Sequence, residues 1–283
     1  SREVSAKLGG RYHTKVIHPY SFKEFLRAKS IDASSAYSVS SRAAIANAFQ
    51  EFYRFGGFPE SLNSVDKREY VSNIYEKILL GDIVTRNSIR SENGMRILIK
   101  KIASTVSNDV SYTKLYNSLK TIGFSLSKDT IINYCSYAIQ GFLLFEIKNY
   151  YASFVDKESN SKYYFSDNGI LNLFLDKNDT SLFENLVAIV LSEKCREKLY
   201  YLKSSKTKID IDFFIEEEDM AIQACYSMDE IDTLEREVGQ LKKLDETAPG
   251  KYKLFIITMD DSKTIPLENN KIQGIRLQDF LLQ

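Results

Sequence analysis

Tryptophan is absent from this 283-residue sequence, histidine occurs twice (His13 and His18), cysteine three times and proline four times. Each shortage removes a class of chemistry. Two histidines near one terminus cannot build a histidine-based metal centre, and a Ser-His-Asp triad has almost no material. Cys135, Cys195 and Cys225 are far apart and odd in number. Neither a disulfide framework nor a CxxC metal clip is readable, so a reducing cytoplasm is the expected compartment. No run approaches the ~20 apolar residues of a membrane helix, and no apolar signal-peptide core opens the chain. An excess of either charge is also missing: 38 Lys and Arg balance 38 Asp and Glu. That disfavours a globally basic nucleic-acid binder and leaves room for a local basic face.

What is present is apolar material. Hydrophobic residues make up 43%, including 17 Phe and 18 Tyr, which excludes bulk disorder. The length implies two or three domains at ~100–200 residues each. With so little Pro and Gly, boundaries come from periodicity. Ser21 and Glu24 form a capping-box pattern that opens a helix, and Phe55-Gly-Gly-Phe-Pro59 stops the helical run over residues 41–55. Tyr70, Val71, Ile74, Tyr75, Ile78 and Leu79 mark an amphipathic helix, as do Met95, Leu98, Ile99, Ile102 and Val106. A short helix at Ser111–Leu119, a Gly-bearing turn, a helix from Ser127 to Gln140 and two strands at Leu143–Tyr150 and Lys162–Phe165 follow the winged-helix order. A polar stretch, Phe154–Ser161, joins the strands, and Asn168–Leu175 is a short helix.

From residue 181 the pattern becomes α-β-β-β-α-β. Leu182–Lys194 is helical with Leu182, Leu186, Ile189 and Val190 inward. Strands follow at Leu199–Leu202, Ile209–Ile215 and Met220–Tyr226, then a charged helix over 233–246, a strand at Lys253–Thr258 and a last one near Ile275–Leu277. The expected fold class is α+β and multidomain. Residues 1–20 form a leading tail, 21–107 a helical segment, 108–176 a winged helix, and 177–283 an α/β sandwich on a mixed sheet.

On the second helix of the winged unit, Ile131, Cys135, Ala138, Ile139 and Phe142 take the core face. Lys128, Asn133, Tyr137 and Gln140 face outward as candidate nucleic-acid or partner contacts. Asn and Gln read adenine edges, but Lys128 alone offers that helix a phosphate contact; Lys157 and Lys162 near the wing add two more cations. The sharper constellation lies in the last unit. Glu184 is on its first helix, Asp210 and Asp212 share a face of one strand, and Gln223 and Cys225 share a face of the next. Carboxylates so arranged suit Mg²⁺, with a nearby lysine to orient water.

This layout resembles the PD-(D/E)XK, or restriction-endonuclease-like, nuclease superfamily. Glu184 matches its helix acid, Asp212 its metal-binding Asp and Gln223 its Glu/Gln, while Cys225 stands in the place of its lysine. Lys194, on the Glu184 helix, and Lys208, just before Asp210, are the candidates to fill that gap, and neither shares the strand face of Gln223. The resemblance therefore implies a degenerate nuclease-like site in which Glu184 and Asp212 hold Mg²⁺ weakly.

A wider resemblance covers the chain from about residue 5. Leu8-Gly-Gly-Arg-Tyr12, His18–Leu26, Tyr53–Glu60, Asp82-Ile-Val-Thr-Arg86, Lys162–Gly169, Phe183-Glu-Asn-Leu-Val187, Ile211-Asp-Phe213 and Asp279-Phe-Leu-Leu282 occur in the order seen in a prokaryotic AAA-like P-loop ATPase family whose C-terminal domain is restriction-endonuclease-like. No G-x-x-x-x-G-K-[ST] occurs in the sequence. The resemblance implies that this chain, which begins at Ser1 and not Met, is the part C-terminal to the P-loop, with residues 1–20 the tail of the ATPase core and Arg11 a nucleotide-sensing residue. ATP and Mg²⁺ would belong to the intact parent protein and no cofactor to this chain. Its partners would be the P-loop domain and either a protein or a nucleic acid, with no membrane. Oligomerisation is left open. The expected role is recognition or coupling. The alternatives are a Mg²⁺-dependent nuclease with a substituted lysine and a protein-interaction module.

Overall fold

In a computed structural model of the chain, residues 15–32, 39–176, 178–195, 198–226, 231–260, 263–268 and 270–283 are described. Arg11 and most of the 1–20 tail lie outside them.

The helical part starts with the capping box that its sequence predicts. Ser21 caps α1 (Phe22–Ala28), and Glu24 returns the bond by accepting the Ser21 amide at 2.8 Å. Helix α2 (Val39–Phe55) packs Phe49 and Phe52 against Phe22 and Phe25 of α1, with the buried Tyr53 ring beside Phe49. Asp66 caps α3 (Lys67–Lys77), which runs on as a π-helical stretch, Ile78–Thr85. Val71, Tyr75, Leu79 and Ile83 are the buried row of that pair. In α4 (Glu92–Ala103), Met95, Leu98, Ile99 and Ile102 are fully buried, as their spacing predicts.

Next come β1 (Asp109–Ser111), α5 (Tyr112–Thr121), α6 (Lys128–Gln140), β2 (Leu144–Asn149), α7 (Phe154–Ser159), β3 (Asn160–Phe165) and α8 (Asn168–Asn172). Strand β3 lies between β1 and β2, antiparallel to both. The last part holds α9 (Asp179–Cys195), β4 (Leu199–Ser204), β5 (Ile209–Ile215), β6 (Met220–Cys225), α10 (Ile231–Thr247), β7 (Lys253–Thr258), β8 (Ile265–Pro266), β9 (Lys271–Arg276) and α11 (Leu277–Leu281). Among the described residues the strands join one nine-stranded mixed sheet in the order β1-β3-β2-β4-β5-β6-β7-β9-β8. The joint is β2 with β4, which pair in parallel at Lys148–Tyr200 and Asn149–Tyr201. The fold is thus mixed α and β around a large mixed sheet. One face carries the main core. The other carries a smaller cluster in which Val238, Leu241 and Leu244 of α10 cover Ile209, Ile211 and Ile256.

Three local expectations change. Phe142 is 66% exposed, while Tyr134 takes the inward position on α6. The helix ends at Gly141 and Phe142 adopts φ 55°, which turns the chain into β2 and swings the ring away from the core. The polar stretch Phe154–Ser161, given no secondary structure from sequence, contains α7, capped by Ser153. Helix α9 is buried on every side from Ser181 to Ala188, so its apolar stripe was too narrow a description, and Ile189 and Val190 are only partly covered. The cause is position: α9 lies between the sheet (β3, β4, β6) and helices α2 and α8.

Candidate functional site

Strands β5 and β6 pair from Ile215–Met220 to Phe213–Ile222 and then part. Beyond that point side chains take over the amides that a longer ladder would use. The Asp212 N–H donates to Gln223 Oε1 at 3.3 Å, and the Ala224 N–H donates to Asp212 Oδ2 at 3.1 Å. The parting opens on a cavity of about 660 Å³ lined by Asp212, Gln223, Ala224 and Cys225 on this side.

The opposite wall is supplied by α9 and β3. Lys162 and Tyr164 share one face of β3, and Glu184 of α9 reaches that face. Lys162 Nζ lies 2.9 Å from Asp212 Oδ1 and 3.4 Å from Glu184 Oε1. Tyr164 Oη donates to the same Glu184 Oε1 at 2.7 Å. The Lys162 side chain is only 4% exposed, and its Nζ also sits 5.7 Å from the Tyr201 ring centroid. Burial opposes its charge, but Asp212 and Glu184 outweigh burial and hold the ammonium well above the ordinary lysine range. Burial pushes the Glu184 carboxyl up, against the pull of Lys162. Burial and then Glu184 push the Tyr164 phenol far up, so it remains a donor.

A second lysine sits at the rim. Lys203 of β4 pairs with Asp109 of β1 and lies 3.8 Å from Asp210. Burial works against the ionised Asp109, yet Lys203 and Asn160 hold its carboxyl below the usual range. Asp210, for which burial dominates, is raised. On the far side, Gln223 Nε2 donates to Glu237 of α10, whose other oxygen accepts from Arg236 at 2.6 Å. One relay therefore links the Asp212 backbone, the Gln223 amide, Glu237 and Arg236. The amide oxygen of Gln223 is engaged by that backbone N–H and does not point as a free ligand.

The structure brings Glu184, Asp212 and Gln223 to one cavity. Cys225 also reaches it but is 2% exposed and belongs to the apolar cluster under α10. Beside Glu184 and Asp212 stands Lys162, expected near the wing as a nucleic-acid-facing cation; its burial in β3 corrects that. Lys194 instead lies over the Phe280 ring, and Lys208 sits in the β4–β5 turn at φ 58°. The outward set on α6 stands apart from the cavity: Lys128, Asn133 and Gln140 are exposed, Tyr137 is half-buried, and Gln140 bonds Ser136. Glu237 and Lys203 were not singled out from sequence. The signal for Lys162 was readable: a lysine inside a strand of aromatic residues must be paired or expelled. Among the described residues no group of three or more His, Cys, Asp or Glu could hold a metal ion, and none of the helices is long and apolar enough to cross a membrane.

A family model described as a domain of unknown function (DUF8612) matches residues 46–181, a span that includes Lys162 and stops before Glu184 and Asp212. The chain is 32% identical over 272 residues to an uncharacterised protein of Methanocaldococcus jannaschii, covering 92% of this chain and 60% of that protein. It is 27% identical over 288 residues to an uncharacterised protein of Haemophilus influenzae, covering all of this chain and 68% of that one. The chain thus spans less than two thirds of the archaeal relative's length. No solved structure matches.

Proposed function

We propose that this chain is the C-terminal, recognition and coupling part of an AAA-like P-loop ATPase, made of a winged helix welded to a restriction-endonuclease-like domain. The order β1-α5-α6-β2-β3 supports the first assignment, and the helix acid beside two carboxylate- and amide-bearing strands supports the second. One observation carries the coupling role. Lys162 of the winged unit is ion-paired to Glu184 and Asp212 of the following one, alongside the β2–β4 pairing. A tilt of one unit moves the acids of the other, which is what a coupler requires. The missing phosphate-binding loop predicts that the chain alone binds no ATP. Calorimetric titration tests this: no heat of binding is expected, and micromolar affinity overturns the assignment. With the preceding residues restored, Lys162→Met is expected to change ATP turnover without changing ATP affinity.

A second reading is favoured by the same lysine. Lys162 supplies the amine that Cys225 cannot, so the acids have the partner that phosphodiester hydrolysis calls for. The ammonium between Glu184 and Asp212 marks a spot where positive charge is accommodated, and two carboxylates plus waters are an ordinary Mg²⁺ shell. Mg²⁺, when bound, would stabilise charge on a departing oxygen. Glu184 and Asp212 would hold it, Lys162 would orient water and offset phosphate charge, and Tyr164 and the Ala224 amide would fix the two carboxylates. The assay is Mg²⁺- or Mn²⁺-dependent degradation of single- and double-stranded substrates. Metal-dependent cleavage that disappears in Asp212→Ala supports this reading. No cleavage, or cleavage unchanged in Asp212→Ala, contradicts it and leaves recognition and coupling.

A further inference from the structure

We propose that the cavity takes a single nucleic-acid strand, one or two nucleotides at a time, gripped at its phosphates by Lys203 and Arg236, and that it does not take a duplex. The inference rests on the phosphodiester reading of the site and names the substrate class for it. Three observations carry it.

The first is size. A cavity of about 660 Å³ lies within the ~300–1,000 Å³ that encloses a small organic ligand, a nucleotide among them. The second is the supply of cations. Lys162 is buried and committed to Glu184 and Asp212. That leaves Lys203 at 45% and Arg236 at 66% side-chain exposure as the solvent-facing cations on a lining that also carries the carboxylates of Asp109, Glu184, Asp210, Asp212 and Glu237, so the grip is local to these two side chains. Each is held by carboxylates, Asp109 and Asp210 for one and Glu237 for the other. The carboxylates are the sheltered ends of these pairs, Asp109 at 13% and Glu237 at 12%, so a phosphate joins each cation from its solvent side: an ammonium has three donors, and Arg236 meets Glu237 through Nε and Nη2. A duplex carries one charge per ~1.7 Å, and its binding depends on neutralising many phosphates. Two rim cations on a chain of zero net charge do not supply that, and α6, the helix that would enter a groove, carries Lys128 as its sole basic residue.

The third observation is an aromatic wall. Tyr226 lines the same cavity, half-buried, with its ring held edge-on against Phe183 at 5.8 Å and 88°. A fixed ring beside phosphate-binding cations is the arrangement on which single strands stack their bases without sequence preference.

The test is fluorescence anisotropy on the full chain in Ca²⁺, with a short labelled single strand and the same sequence as a duplex. The single strand is expected to bind at least about tenfold tighter. Lys203→Gln and Arg236→Gln should each weaken it roughly tenfold and lower the slope of log K against log salt by ~0.7. Tyr226→Ala should weaken it by about tenfold with the salt slope unchanged, since stacking is not ionic. Duplex binding as tight as single-strand binding overturns the proposal, as does binding unmoved by both cation variants or no binding at all. The two failures are separable. A strand bound through Lys203 and Arg236 but not cut in Mg²⁺ or Mn²⁺ sinks the hydrolytic reading and leaves this inference. Duplex cleavage without single-strand binding does the reverse.

Discussion

Two of the buried acidic sites in this fold, Asp167 and the Glu184–Asp212 pair, do different things. Asp167, between β3 and α8, is 3% exposed, and both its carboxylate oxygens accept from backbone amides. Its carboxylate accepts from Gly57 at 2.9 Å, Gly169 at 2.8 Å and Ile170 at 3.3 Å. Glu184 is almost as sheltered and Asp212 less so, at 15% side-chain exposure, but both lean on a side chain, Lys162, and face a cavity. Asp167 is a joint. It ties the Gly56-Gly57 corner to the start of α8, and at Gly56 a Cβ would fall 2.0 Å from its Oδ1. Burial of an acid therefore says little about function. What holds its oxygens, and whether space lies beside them, separates a joint from a site.

The comparison predicts opposite responses to change. Lys162→Met strands two carboxylates in a buried setting and is expected to cost about 3–5 kcal/mol in urea unfolding, the scale of breaking a buried ion pair from one side. A loss below about 1 kcal/mol would mean that water reaches the pair freely. Removing both acids as well, with Glu184→Gln and Asp212→Asn added, should recover part of that loss.

Asp167 predicts a pH effect. Burial pushes its carboxyl up to about 6, against the pull of the Gly57, Gly169 and Ile170 amides. Unfolded, it titrates near ~3.9. The folded protein therefore binds the extra proton between those values. Its stabilising contribution is complete below about pH 4 and is lost as the pH rises through about 6. Wild type minus Asp167→Asn is expected to drop by about 2–3 kcal/mol from pH 4 to pH 7. A difference that is flat or rises with pH would show that the three amides, and not burial, set that carboxyl.

Backbone corners come next. Gly57→Ala puts a Cβ 2.2 Å from the carbonyl oxygen of Tyr20, which cannot move aside as a side chain would, and should cost about 1–3 kcal/mol. Gly239, on α10 with nothing within 4 Å of its added Cβ, is the control: Gly239→Ala should stabilise by about 0.5–1 kcal/mol through helix propensity. Equal effects at the two positions would remove the close-approach argument.

Much of this arrangement was legible from residue order. The capping box at Ser21 and Glu24, the stripe of α4 and the β5 and β7 boundaries follow from local rules, because short-range hydrogen bonding and periodicity decide them. The convergence of Glu184, Asp212 and Gln223 also followed, since a helix acid and two adjacent strands leave few ways to pack. What stayed hidden was long-range. Lys162 meets Asp212 across 50 residues, through the parallel β2–β4 joint that no local pattern encodes. Lys203 and Asp109 meet across 94. Glu237 is one acid among several on a charged helix, and its pairing with Gln223 depends on how α10 crosses β6.

The central claim is that a lysine from β3 stands between the two acids of the following unit. It is tested most directly by NMR of the protein labelled with ¹⁵N at its lysine side chains. The account predicts one ammonium signal that exchanges slowly with water, vanishes in Lys162→Met and shifts in both Asp212→Asn and Glu184→Gln. Absence of any slowly exchanging lysine signal, or one that ignores both acid variants, would contradict it.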